Sequence, residues 1–418
     1  MAGKDVIEVS VAHGKDPYRV VEEALDGLER DPNLGFVFFS PDHVDDIEDA
    51  VSGLPDGCRT VGCSTAGELT PEGYTSGSVV VALLSSSYLS VETHSVRFER
   101  EETDHARELG RRLMVDAMAS LRKPGPCVDL TFNAMLRSIV SGKPVKTLPY
   151  FAIELVEGLA PAIDYYMDGI NDVVRKYKFL EVFGGAAGDD LRLERTYVMK
   201  DGELQPEWSA VVAFGITSLK IGGYLDHGFD VVEEDVLFVT EAVPEERRIV
   251  SFDGEPAAEA YAEMVGEDPE NLDDRVFMWN PLGWEITTGQ VIVREPAFVD
   301  EDGSMVFHSR PPRYGGFVRL RPTEENMYET AKRVTEVAMR NAEIEDPDEV
   351  ALVLVFDCAH RDCDAQYEAI REVVGDDVPI VGFKTYGEHG QLRCGTVCHC
   401  NQTIQVVVLG NSTVSQAV

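Results

Sequence analysis

The sequence predicts an α/β fold of two pseudo-related halves, with mixed β-sheets packed against helices and a cleft between the halves. Three observations predict it. Apolar runs of strand length alternate with stretches of helical spacing. A strand, helix, Gly-rich turn and strand recur three times as a weak internal repeat. The chain has 418 residues, 44% of them hydrophobic, which is ample for two or three domains.

The first unit opens with an apolar strand at Gly35–Phe39 and reaches the turn Gly62-Cys63-Ser64-Thr65-Ala66-Gly67-Glu68 before the strand Ser78–Leu84. The second opens at Val128–Phe132, passes Gly184-Gly185-Ala186-Ala187-Gly188-Asp189 and continues into Ser209–Ile216. The third opens at Val350–Phe356, passes Gly382-Phe383-Lys384-Thr385-Tyr386-Gly387-Glu388 and continues into Thr403–Leu409. Each turn ends in Gly followed by an acid, and three such turns would line one cleft.

Between the second and third units, Ala257–Val265 has helical composition after a turn at Asp253-Gly254. Gln290–Glu295 and Ser304–His308 read as strands flanking the turn Asp300–Gly303. Glu324–Ala342 reads as an amphipathic helix with Met327, Ala331, Val334, Val337 and Ala338 on one side. The main boundary falls near Asp226–Asp235.

Acidic residues number 75 against 37 basic ones, a formal charge of -38. Such a surface repels phosphate backbones and anionic lipid, so nucleic acid and membrane are excluded as partners. The acids are spread along the chain, as suits a protein kept soluble in a salty cytoplasm, where screening weakens self-repulsion. The start, Met1 to Val11, lacks an apolar signal core. No stretch approaches the ~18 apolar residues of a membrane span. The expected location is cytoplasmic, where thiols stay reduced.

The eight cysteines are therefore read as metal, cofactor or redox candidates rather than a disulfide framework. Five of them, Cys358, Cys363, Cys394, Cys398 and Cys400, fall in the last 61 residues beside His360, His389 and His399. Thiolate and imidazole are ligands for zinc, an iron–sulfur cluster or haem. The candidate metal set is those five cysteines with His399. Their spacing matches no familiar zinc or ferredoxin pattern. If Cys398-His399-Cys400 is a strand, its two thiols share a face. The other reading is of small buried hydrophobes.

The turn acids Glu68, Asp189 and Glu388 have two readings as well. They hydrogen-bond a polar ligand group, or they accept backbone N–H bonds and fix the turn, the reading favoured here. The turns match neither the P-loop nor the dinucleotide-binding fingerprint. Cys63-Ser64-Thr65 carries hydroxyl and thiol groups, but no base can be assigned to them, so a catalytic set is not expected. Arg361 is placed to clamp a carboxylate, or to make a helix-terminal ion pair.

Taken in order, these segments resemble the FIST (F-box and intracellular signal transduction) family. The N-terminal half rests on Val61 to Glu68, Gly184 to Asp189, Glu194-Arg195-Thr196-Tyr197 and Asp201-Gly202. The C-terminal half rests on Val239-Thr240-Glu241-Ala242, Asp253 to Ala257, Pro281-Leu282-Gly283, Val293-Arg294, Cys358-Ala359-His360-Arg361, Thr385 to Glu388 and Asn401-Gln402-Thr403. The resemblance implies a FIST N-terminal domain over 1–230 and a FIST C-terminal domain over 231–418. It implies a sensory module that binds a small molecule, such as an amino acid or a derivative, and signals through a separate protein such as a histidine kinase. A homo-oligomer is compatible with it. One branch of the family resembles haem-bound sensors, so the alternative reading is a metal, iron–sulfur or haem protein using the late cysteines for redox sensing or catalysis. The ligand-binding positions it implies are Cys63, Ser64, Thr65, Glu68, Gly185, Asp189, Arg361, Thr385, Tyr386, Glu388 and Asn401. Two features depart from the family pattern: a long connection at Asn133–Ala162, and the sulfur-rich segment Arg393 to Cys400, where Cys400 stands in a place often held by His.

Overall fold

The computed structural model describes residues 6–98, 102–121, 150–176, 180–286, 289–361 and 364–414. The strand–helix repeat becomes three sheets of one topology. In each unit a first strand leads through a helix to a second. A further helix leads to a third strand parallel to the second. The chain then makes a short excursion and returns as a fourth strand, inserted antiparallel between the first and second.

In the first unit these four strands are Glu8–Gly14, Leu34–Phe39, Arg59–Ser64 and Val79–Ser85. In the second they are Leu89–Arg97, Tyr150–Val156, Leu180–Ala186 and Ser209–Thr217. In the third they are Leu219–Asp226, Val350–Cys358, Ile380–Thr385 and Ile404–Thr413. The predicted class holds: mixed sheets packed against helices, made by concatenating related units. One expectation is corrected. The second unit's second strand is Tyr150–Val156, inside the segment read as a long connection. Both Val128–Phe132 and Tyr150–Val156 are apolar runs of strand length, and periodicity cannot choose between them. Val128–Phe132 lies outside the described residues.

The excursions are exchanged around a ring. Glu68–Thr75 adds its hairpin to the third sheet, beside Ile380–Thr385. Glu388–Cys400 adds to the second sheet, beside Leu180–Ala186. Val198–Leu204 adds to the first, beside Arg59–Ser64. Each unit thereby completes another unit's sheet and covers an edge that would otherwise be open to pairing.

The sheets turn their inner faces to one shared core. Phe36, Phe38, Phe151, Ile153, Phe183, Phe356 and Phe383 come from all three sheets and meet there. Each such side chain contributes about 1.5–3 kcal/mol when fully buried. Helices cover the outer faces: Pro17–Asp26 and Val44–Val51 on the first, Thr103–Ser120 and Ile163–Val174 on the second, Glu324–Asn341 and Ala365–Val374 on the third. Because both faces are covered, Leu34–Phe39 is buried at every position and reads as a continuous apolar run rather than an alternating one. In Glu324–Asn341 the predicted apolar side is buried at Met327, Ala331, Val334 and Ala338.

The third strand of each unit carries a glycine for a steric reason. A Cβ on Gly62 would lie 2.2 Å from the Val37 carbonyl oxygen, one on Gly184 1.8 Å from that of Glu154, and one on Gly382 1.8 Å from that of Val355. The parallel neighbour passes too close for any side chain.

Between the first strand of the third unit and its helix, residues 230–321 form a fourth sheet of eight antiparallel strands. Its core gathers Phe252, Tyr261, Phe277, Phe307 and Phe317. The strand Leu219–Asp226 belongs to the third sheet, so that sheet draws on residues from both sides of position 230. No described helix is long and apolar enough to cross a membrane.

Candidate functional site

The three Gly-acid turns meet at the middle of the ring, and backbone hydrogen bonds join them in a closed cycle. Ala66 N–H donates to Lys384 O at 3.0 Å, and Lys384 N–H to Gly67 O at 2.8 Å. Tyr386 N–H donates to Ala186 O at 3.0 Å, and Ala186 N–H to Gly387 O at 2.8 Å. Gly188 N–H donates to Ser64 O and Asp190 N–H to Thr65 O, both at 3.0 Å.

The turn acids are engaged locally. Glu68 accepts from the Thr65 hydroxyl and from Ser78 N–H (3.0 Å) and Oγ (2.7 Å). Glu388 repeats the pattern with the Thr385 hydroxyl and with Thr403 N–H at 3.0 Å and Oγ1. Asp189 accepts from the backbone of Leu193, Glu194 and Arg195 and from the Tyr386 hydroxyl. All three are buried. Burial pushes Glu388 up to about 8 and raises Glu68, against the pull of their hydroxyl donors. These contacts fit the turn-fixing role.

Most of the other expected ligand positions are engaged internally as well. Ser64 Oγ donates to Gly188 O at 2.7 Å and accepts from Tyr197 N–H at 2.8 Å. Cys63 lies in the shared core. A Cβ on Gly185 would sit 2.9 Å from the Thr385 methyl. Arg361 is fully buried, with Gln366 at 2.9 Å, the His227 and Gln402 carbonyls at 2.8 and 3.0 Å, and Asp357 at 3.5 Å, while its Nη2 is buried with no hydrogen-bond partner. Asn401 accepts from Ser309 Oγ at 2.5 Å.

Among the described residues, the cysteines expected as ligands do not gather into a group of three or more metal donors. Cys398 and Cys400 lie on the strand Val397–Cys400 and share a face, packed with Leu225, Ile292 and Leu392. His399 points the other way, as its neighbour on a strand must. Its Nδ1 is 2.9 Å from His389 Nε2, and His389 Nδ1 pairs with Glu154. Cys358 is buried at the end of its strand, Cys394 is exposed, and Cys363 lies outside the described residues. Burial pushes Cys398 up to about 11 and holds Cys358 and Cys400 well above the ordinary thiol value. Among the described residues, no group with the geometry to hold a metal contains a cysteine. Among the described residues, these thiols and imidazoles do not form the donor set of an iron–sulfur cluster or a haem.

What the structure does assemble lies at the seam between the fourth sheet and the ring. On one side is the helix Ile163–Val174 of the second unit. Arg247 Nε reaches Asp164 at 3.1 Å, and Arg310 reaches Asp168 at 2.9 Å while stacking over Tyr165 at 4.4 Å. Arg294 is buried beside them, bonded to the Arg310 carbonyl at 2.9 Å. Burial opposes ionisation of Asp164, but Arg247, His399, Arg294 and Arg310 outweigh it and hold the carboxyl down at about 2. Arg247 Nη2 is buried with no hydrogen-bond partner.

On the other side of the seam are Asp274, His308 and His360, whose ligand atoms all lie within 4.8 Å of one another. Glu295 is buried behind them. It takes His360 Nδ1 at 2.8 Å and Gln402 Nε2 at 2.6 Å. None of Asp164, Arg247, Arg310, Asp274 or His308 belongs to the motifs of the sequence. The only signal was that Glu295 and His308 end two of the predicted strands, where side chains leave a sheet and become free to meet.

The chain therefore has the architecture of a concatenated α/β protein, with a cluster of arginines, acids and histidines at a seam between its parts. Residues 33–255 match the FIST N domain and residues 257–391 the FIST C domain. The chain belongs to the FIST family, whose domains are sensory and ligand-binding. No curated protein matches it. Among solved structures it is similar to a chorismatase, at 8% identity and a TM-score of 0.34, with 98% of this chain and 100% of that one covered. It is also similar to the cyanuric acid hydrolase from A. caulinodans, at 9% identity and a TM-score of 0.39, covering 97% and 99%. A further cyanuric acid hydrolase structure, described as an evolutionary innovation by structural concatenation, matches at 10% identity and a TM-score of 0.36, covering 97% and 99%.

Proposed function

We propose that this protein is a sensor whose small-molecule ligand carries a carboxylate, as an amino acid or its derivative does, and binds at the arginine-rich seam. The observation that carries the reading is Arg247. Its Nε is used by Asp164, while its Nη2 is buried and unpartnered. A guanidinium offers a planar fork of donors matched to a carboxylate, and a buried donor left unsatisfied costs about 1–3 kcal/mol. A ligand carboxylate would supply the missing acceptor. Asp164 and Asp168, on the same helix face, are the groups to which a ligand ammonium would turn.

The test is thermal-shift screening and calorimetry with amino acids and related carboxylates on the intact chain. A true ligand at about one hundred times its Kd adds ~2.7 kcal/mol to stability. Arg247→Ala should abolish that gain. A panel that leaves the melting temperature unchanged, or a ligand held equally well by Arg247→Ala, overturns the reading.

We propose further that the protein's output passes through a separate signalling protein such as a histidine kinase. Addition of the liganded protein should change the partner kinase's autophosphorylation rate. Equal rates with and without ligand would refute that assignment.

A further inference from the structure

We propose that Asp274, His308 and His360 bind a divalent first-row transition ion, of which zinc is the reference case. Three elements supply the ligands. Asp274 opens the short helix Asp274–Trp279, His308 follows the strand Met305–Phe307, and His360 follows the strand Val350–Cys358. The site thus joins the fourth sheet to the third.

Two imidazoles and one carboxylate, with further positions open to water or ligand, are a donor set such ions accept. The His308 and His360 rings meet edge to face with centroids 5.4 Å apart. His360 Nε2 lies 4.0 Å from Asp274 Oδ2. Donors bonded tetrahedrally at about 2.0–2.1 Å stand about 3.4 Å from one another, so binding requires a closure of well under 2 Å. Asp274 can supply it, because its side chain is 71% exposed and free to rotate.

Two independent observations point to a ligand here. His308 Nε2 is buried with no hydrogen-bond partner, although a ring nitrogen in that position is expensive to leave unpaired. Glu295 holds His360 Nδ1 at 2.8 Å and is itself held by Gln402 at 2.6 Å. A carboxylate behind the distal ring nitrogen orients a metal-ligating histidine and raises its basicity, leaving Nε2 to face the ion. This supporting pair has no comparable partner at Cys398 or Cys400, which pack among apolar side chains.

The site uses neither Arg247 nor Asp164, so its test is independent of the proposed sensory ligand. The intact protein, stripped with chelator, is dialysed against zinc and measured by elemental analysis; cobalt(II) serves as a visible probe of the same site. One equivalent of zinc per chain is expected, with cobalt bands of the kind a nitrogen–oxygen donor set gives. Asp274→Ala, an exposed change that leaves the core untouched, should weaken zinc binding at least tenfold, and Asp274→Glu should restore most of it. His308→Ala should abolish the site, and Glu295→Gln should weaken it about 10- to 100-fold. Replacing Cys398 and Cys400 together by Ser should leave the zinc content unchanged. Zinc below one equivalent, undiminished affinity in Asp274→Ala, or loss of zinc on replacing the two cysteines would each overturn the proposal.

Discussion

Replacing Gly382 by Ala tests the closeness of the strands behind the third turn. The added Cβ would fall 1.8 Å from the Val355 carbonyl oxygen and 2.7 Å from its carbon. A real Cβ keeps more than 3 Å from such atoms, so the neighbouring strand would have to move by over 1 Å. The obstacle is backbone held in a parallel ladder from Val353↔Ile380 to Cys358↔Thr385 and flanked on its other side by Ile404–Thr413. Rotamer changes cannot relieve it, so the cost sits at or above the top of the overpacking range, about 3 kcal/mol. With an unfolding entropy of about 2.1 cal/mol/K per residue, a chain of this length loses roughly 3 °C of Tm for that cost. The control is Gly57→Ala, where a Cβ meets nothing within 4 Å. It should be neutral or slightly stabilising through the unfolded chain. Thermal melts of both variants against the parent decide the matter. A Gly382→Ala protein that melts with the parent would refute the steric argument for all three third-strand glycines.

Asp164→Asn should cost about 2 kcal/mol at pH 7, from a carboxyl held at about 2 instead of its ordinary 3.8. A depressed acid stabilises above its unfolded pKa, so the deficit against the parent should shrink as pH falls from 3.8 through about 2; a deficit of equal size at pH 7 and pH 2 would sink the ion-pair account. Glu388 has the opposite sign. Burial raises it to about 8, so its contribution to stability should fall as pH rises from 4.5 through 8. Urea melts should therefore show Glu388→Gln gaining on the parent across that window, and a constant difference would refute it.

The fold was legible where chemistry repeats. Leu34–Phe39 and Val350–Cys358 are apolar at nearly every position because sheets buried on both faces demand it. The Gly-acid turns stood out because a positive φ, +137° at both Gly67 and Gly387, and a buried acid together leave few residue choices. The exchange of hairpins was not legible. Which sheet Glu68–Thr75 joins depends on tertiary docking, and its local pattern is the same either way. The seam was hidden for a similar reason. Asp164, Arg247 and Arg310 sit 83 and 63 residues apart along the chain, and each alone reads as an ordinary surface charge. The clustered cysteines misled in the opposite direction. Cys398 and Cys400 are close in sequence and share a face, yet the partners they meet are Leu225, Ile292 and Leu392.

The repeat itself gives a physical reason why the proposed site lies at the seam and not in the turns. At the ring's middle the three units meet as near equivalents. Thr65–Glu68–Ser78 in the first matches Thr385–Glu388–Thr403 in the third, and Asp189 closes the second on Tyr386. Groups that complete one another in a closed cycle have little left for a ligand. The insertion of residues 230–321 into the third unit breaks that equivalence. It lays Arg247, Arg294 and Arg310 against one helix of the second unit, and Asp274 and His308 against the strand end that carries His360. In a chain with a formal charge of -38, a local group of arginines is where an anion finds attraction rather than repulsion. The unpartnered Arg247 Nη2 and His308 Nε2 both fall within this inserted segment. Seam substitutions should therefore change what the protein binds while leaving the ring folded, whereas substitutions in the turns should act through stability.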